Sequence, residues 1–175
     1  MDEVQAEGTV FRLDPDLTLH RMIESVSIPN GMGWSPDDKT MYFTDSPTRG
    51  IFTYDYDADS GAISNKRVFF QLRNDEEGVP DGCTIDTEGH LWVAVHEGSR
   101  VIRISPQGEV VSQITLPAWK VTCPAFGGPD FNELFITTAE VDAGEKTPNG
   151  SRDNGNVFRT KTRATGLRPN KFGAF

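Results

Sequence analysis

The chain has 175 residues, about the length of one domain, and its 36% hydrophobic content suits a packed core rather than a disordered chain. Its 17 Lys and Arg against 26 Asp and Glu give a formal net charge of −9. Sequence-independent nucleic-acid binding and docking on an anionic membrane both need a surplus of positive charge, so neither partner is expected. In chain order, Met1–Glu7 is acidic and polar and lacks the basic start and apolar run of a secretory signal. No run approaches the roughly 18 apolar residues of a membrane span. A cytoplasmic location follows as the expectation, with Cys83 and Cys123 as reduced, semi-buried thiols. Two cysteines are too few for a disulfide scaffold and lack metal-ligand spacing. Short clusters rich in β-branched and aromatic residues predict strands at Thr9–Leu13, Thr40–Thr44, Gly50–Tyr54, His90–Val95, Arg100–Ile104, Val110–Leu116, Glu133–Thr138 and Asn156–Arg159. Pro-Asp-Asp, Thr-Glu-Gly, Pro-Gln-Gly and Gly-Gly-Pro-Asp between them predict turns, as does Asn149–Ser151. The charge run Leu72–Gly78 reads as a solvated loop. No window carries a capped apolar stripe of helical period.

Three segments repeat one pattern: Ile28–Ser46, Val79–His96 and Val121–Ala139. Each has a Pro-containing turn, a short strand, a polar turn and a strong strand. The strong strands start at Met41, Leu91 and Leu134, so they are offset by 50 and 43 residues. A further strand follows each of them, and Thr9–Leu13 resembles that further strand. Repeats of roughly 40–50 residues with about four strands each are the sequence signature of a β-propeller. A small sheet cannot bury both faces alone, and radial stacking shares a core between neighbours. A β-sandwich is the alternative, but sandwiches do not usually repeat sequence at this period.

The start of each innermost strand in a propeller lies near the central axis. Pro29-Asn30-Gly31 aligns with Pro80-Asp81-Gly82, so Asn30 and Asp81 converge on one axial spot. Their oxygens suit hard cations such as calcium, and carboxylate also suits zinc. The third repeat offers Thr122 or Cys123, which are weaker candidates, and Lys120 lies close by. Asn-Gly and Asp-Gly are also tight-turn dipeptides in any β protein, and on spacing alone both readings stay open. His20, His90 and His96 show neither zinc spacing nor a nucleophile triad. Trp34, Trp92 and Trp119 read as core or interface fillers, with Trp119 also able to edge a pocket.

Taken together, IPNGMGWSPDDKTMYFTDS, IFTYDYDADSGAISNKRVF, VPDGCTIDTEGHLWVAVH and TCPAFGGPDFNELFITTA resemble the regucalcin and gluconolactonase family, which also includes senescence marker and luciferin-regenerating-enzyme-like proteins. The resemblance runs from about Gly8 to the end, which leaves residues 1–7 as a non-family leader and 8–175 as the C-terminal part of a propeller domain. It implies an all-β, six-bladed propeller with one divalent metal on its axis, calcium foremost and zinc, magnesium or manganese as alternatives. It also implies hydrolysis of sugar lactones or related small esters. The family's metal ligands map onto Asn30 and Asp81, and Asp81 would double as the catalytic base. The family's glutamate ligand and its substrate-binding Arg and Asn have no counterpart, and nothing marks Glu3 or Glu7 as a replacement. Six blades of roughly 45 residues need about 270, so about three to four blades of an incomplete ring are expected here. Weakened or lost activity follows from that count, as does self-association through an exposed blade face. The alternative is a non-catalytic fragment acting as a binding or calcium-handling module.

Overall fold

The computed structural model describes residues 6–140 and 153–171. Their regular structure is almost wholly strand, in the order β1 (Gly8–Leu13), β2 (Leu19–Val26), β3 (Pro29–Trp34), β4 (Thr40–Asp45), β5 (Gly50–Asp57), β6 (Ala62–Gln71), β7 (Val79–Ile85), β8 (Leu91–His96), β9 (Arg100–Ile104), β10 (Val110–Thr115), β11 (Val121–Gly127), β12 (Glu133–Thr138) and β13 (Val157–Lys161). One 3-10 turn, Ser46–Thr48, separates β4 from β5. No helix among the described residues is long and apolar enough to cross a membrane. The strands form four antiparallel meanders: β1-β2, β3-β4-β5-β6, β7-β8-β9-β10 and β11-β12-β13. The first strands of the last three, β3, β7 and β11, run side by side. This is the incomplete ring of a β-propeller, and the β1-β2 pair corresponds to the outer two strands of a blade.

The alternation of side chains explains the stacking. In β4, Met41 and Phe43 face a cluster shared with Val10 and Val26, while Tyr42 faces Ile85, Leu91, Val93 and Val95. In β8, Leu91, Val93 and Val95 join that same cluster, while Trp92 and Ala94 face Val121, Leu134 and Ile136. Each middle strand therefore feeds two inter-blade cores, and a fully buried aliphatic or aromatic side chain there contributes about 1.5–3 kcal/mol. Neighbouring sheets are needed to complete each core, which is why the sequence repeats at blade length.

Three expectations change. The outer strands β2 and β6 were not legible, because side chains of both mix apolar and charged residues on a largely exposed ribbon. Leu72 is not part of a solvated loop: it is 1% exposed and packs in the core between the second and third sheets. Asn30-Gly31 and Asp81-Gly82 are not turns. Both lie inside strands, at register shifts between Pro29 and Met32 and between Pro80 and Cys83. The same shift recurs between Val121 and Cys123. The Asn149–Ser151 turn lies outside the described residues.

The glycines at these bulges serve close approach between blades. A Cβ on Gly31 would fall 2.5 Å from the Asp81 carbonyl oxygen, and one on Gly82 would fall 2.7 Å from the Thr122 oxygen and from Cβ and Sγ of Cys123. Backbone cannot move aside as a flexible side-chain end can. Gly82→Ala is therefore expected to lower stability by about 1–3 kcal/mol through overpacking. An unchanged urea midpoint would show that β7 and β11 have room to spare.

Candidate functional site

Asn30 and Asp81 occupy the same bulge position on β3 and β7, and Thr122 occupies it on β11. Asn30 is fixed through Ser46, just past the end of β4. The Asn30 amide nitrogen donates to Ser46 Oγ at 3.2 Å, and Ser46 Oγ donates to the Pro80 carbonyl at 2.7 Å. Ser46 thus ties the second sheet to the strand that carries Asp81. The carboxylate of Asp45, the residue before it, accepts the backbone N–H groups of Ser27 and Ile28 and sets the entry of β3.

Burial pushes the Asp81 carboxyl pKa above its ordinary value. The charge of His96, a hydrogen bond from Asn30 and the Gly82 N–H offset that rise only in part. The structure thus brings Asn30 and Asp81 together and desolvates the carboxylate. An anion taken from water without full compensation is stabilised by a cation. Two oxygen donors of this type suit a divalent metal.

Sequence reasoning missed His96 and Ser46. Ser46 directly follows β4 and His96 ends β8, and they are 50 residues apart, the repeat offset. That offset was the available signal. His96 acts on Asp81 through its charge, and Asp81 in turn helps raise the Cys123 thiol pKa after burial. Thr122 Oγ1 is committed to Thr137 Oγ1 at 2.7 Å, so it turns along its own sheet. Trp119 is a tie between segments: its indole N–H donates to the Glu97 carbonyl, and its backbone N–H donates to Asn154 Oδ1.

A second cluster looks like a metal site by composition. Donor atoms of Asp86, Glu88 and His90 lie within 4.8 Å of one another. The Arg103 guanidinium already occupies the middle. Its Nη2 is 2.6 Å from Asp86, 2.7 Å from Glu88 and 3.0 Å from His90 Nδ1. A metal ion would have to displace an arginine that neutralises a fully buried carboxylate. The cluster is a structural ion network, and it gives His90 a role in folding. A cleft of about 380 Å³ opens at the far ends of β3 and β7, lined by Met32, Trp34, Cys83, Ile85 and Arg168, away from Asn30 and Asp81.

Comparison with known proteins agrees with this architecture. The pentonolactonase XacC of Haloferax volcanii is 38% identical over 165 residues, which is 92% of this chain and 56% of that protein. The solved structure of a luciferin-regenerating enzyme superposes with a TM-score of 0.86 at 38% identity, covering 93% of this chain and 54% of the other. The structure of a calcium-binding regucalcin from Agrobacterium tumefaciens superposes with a TM-score of 0.83 at 27% identity, covering 93% and 55%. The chain spans about half the length of the curated relatives it matches. The SMP-30/Gluconolactonase/LRE-like region matches residues 1–140. The chain belongs to the SMP-30/gluconolactonase/LRE-like family.

Proposed function

We propose that the chain carries the Asn30–Asp81 half of a metal-dependent centre that hydrolyses sugar lactones or related small esters. The observation that supports this most is the convergence of Asn30 with a desolvated Asp81 at matching bulges of adjacent inner strands. Asn30 and Asp81 would hold a divalent cation, which would supply Lewis-acid polarisation of the ester carbonyl. Calcium is the first expectation for that cation, with zinc, magnesium and manganese as alternatives. Asn30 is a neutral donor whose orientation Ser46 fixes. Asp81 takes a proton from the attacking water as its oxygen bonds to the carbonyl carbon. The ring C–O bond breaks, and Asp81 returns the proton to the departing alkoxide. Burial raises the Asp81 carboxyl pKa in the metal-free chain, and a cation held beside it would lower that pKa again.

Catalytic zinc centres generally use three protein ligands, and Asn30 and Asp81 supply two. The chain alone is therefore expected to bind metal weakly and to turn over slowly or not at all. A reducing cytoplasm is the location this reading takes, with both thiols free there, and pairing of two copies through exposed blade faces would add the missing neighbour contacts. The test is direct. The purified chain is titrated with calcium, zinc, magnesium and manganese by calorimetry, and gluconolactone hydrolysis is followed with and without a chelator. Weak metal uptake supports the site, slow chelator-sensitive hydrolysis beside it supports the hydrolase reading over a cation-binding module, and no uptake of any metal overturns the site.

A further inference from the structure

We infer that Arg49 is a positioning residue of the proposed metal centre: its guanidinium grips the chain that enters β7 and so sets where Asp81 stands relative to Asn30. The inference rests on the reading of those two residues as metal donors. It starts from what β7 lacks. Pro80 has no N–H to give to β8, and the bulge at Asp81 and Gly82 interrupts the register between Pro80 and Cys83. Gly78, just ahead, offers no side chain to pack. The entry of β7 therefore takes fewer bonds from its own sheet than a regular strand would.

The corner between β4 and β5 supplies the rest. Arg49 Nη1 donates to the Gly78 carbonyl at 2.8 Å, and Ser46 Oγ donates to the Pro80 carbonyl at 2.7 Å. Asp81 follows at once. Ser46 Oγ also accepts the Asn30 amide at 3.2 Å. One corner thus holds both donors, Asn30 directly and Asp81 through the two carbonyls ahead of it. Arg49 Nη2 donates to the carbonyls of Arg73 at 2.7 Å and Glu76 at 2.8 Å, so the same guanidinium shapes the loop that leads to Gly78.

The backbone of Arg49 points the same way. It is left-handed, with φ 59° and ψ 11°, at the end of the Ser46–Thr48 turn. Glycine adopts that conformation without steric cost, and arginine does not. Such strain persists where the surroundings over-determine it, and bonds to three main-chain carbonyls do so here. A planar fork serves carbonyls on two sides at once, which the single nitrogen of lysine does not. The loop also has other anchors. Leu72 is buried, and Arg100 Nη2 lies 3.0 Å from the Glu76 carboxylate. Loss of the guanidinium should therefore loosen Gly78 and Asp81 without unfolding the sheets.

The test uses two variants of the full chain. Arg49→Gly removes the guanidinium and suits the backbone, and Arg49→Lys keeps the charge without the fork. In the metal-free chain, the amide proton resonance of Gly82 reports the Asp81 carboxyl, to which that N–H is hydrogen-bonded. Calorimetric titration with calcium, zinc, magnesium and manganese reports the centre. Both variants are expected to move the Gly82 resonance toward that of an unbonded amide. Both should also weaken the metal uptake of the wild type by about 10-fold, the lower end for loss of an outer-shell partner. Asp86→Asn, which lowers stability from just past the far end of β7, should change neither readout. A loss of metal affinity that Asp86→Asn matches at an equal urea midpoint overturns the inference and leaves Arg49 a structural residue. An unmoved Gly82 resonance in both Arg49 variants, or metal uptake equal to the wild type, also overturns it. A wild-type chain that takes up none of the four metals overturns the metal reading instead, and the Gly82 resonance then still decides whether Arg49 positions the Asp81 carboxyl.

Discussion

Asp81→Asn is expected to move metal affinity and metal-free stability in opposite directions. Loss of the carboxylate charge removes the anionic donor, and affinity for a divalent cation should fall by about 100-fold or more, which is about 2.7 kcal/mol. In the metal-free chain the same substitution should raise the urea midpoint at neutral pH. The sign follows from burial, which lifts the folded-state pKa of Asp81 above its ordinary value against the partial relief from His96, Asn30 and Gly82. Between the unfolded and the folded pKa the folded state binds more protons, so stability falls as pH rises through that window. Above it, an ionised Asp81 is a net cost that a neutral amide avoids. Asp81→Ala is the harsher control, since it also removes the partner of the Asn30 amide. A metal-free midpoint that drops in Asp81→Asn, with cation affinity unchanged, would show that the carboxylate serves packing alone.

Much of the fold was legible because inter-blade burial writes itself into the repeat. β4 and β8 are buried on both faces, so Met41–Thr44 and Leu91–Val95 read as strong apolar strands at a fixed offset. β6 is the longest strand described, yet it was missed, since its exposed residues include Asn65, Lys66 and Arg67. The pairing of Asn30 with Asp81 was legible for the same reason as the strong strands, because equivalent positions in successive repeats fall at matching bulges of adjacent first strands. His96 was passed over because it was weighed alone rather than against Ser46, its counterpart one blade earlier. Arg103 could not be read as the occupant of the Asp86–Glu88–His90 cluster. Its position on β9 comes opposite Trp92 only through the pairing of β8 with β9.

Asp86→Ala is expected to cost about 3–5 kcal/mol, the range for removing one partner of a buried ion pair. Asp86 is 0% exposed. Its Oδ2 accepts the Trp92 indole N–H at 2.9 Å and Arg103 Nη2 at 2.6 Å. Its Oδ1 accepts the backbone N–H groups of Glu88 and His90, which shapes the turn between β7 and β8. Asp86 also bridges Gly166, so the segment after β13 is pinned to the third sheet at this point. Alanine would leave the indole N–H and the two backbone donors without acceptors, and would leave Arg103 leaning on the exposed Glu88. Asp86→Asn keeps acceptors for part of the set and should fall between wild type and alanine. Burial works against ionisation of Asp86, but the hydrogen bonds from Trp92, the His90 backbone and Arg103 outweigh it and hold its pKa below the ordinary value. The unfolded chain therefore binds the proton first. The stabilisation is present above the unfolded pKa of about 3.9 and is lost as pH falls through the lower folded value. Urea midpoints between pH 3 and pH 7 should accordingly rise with pH in wild type by more than in Asp86→Ala. Parallel pH profiles would mean that Asp86 holds its turn as a hydrogen-bond acceptor while its charge, and the Arg103 beside it, contribute nothing to folding.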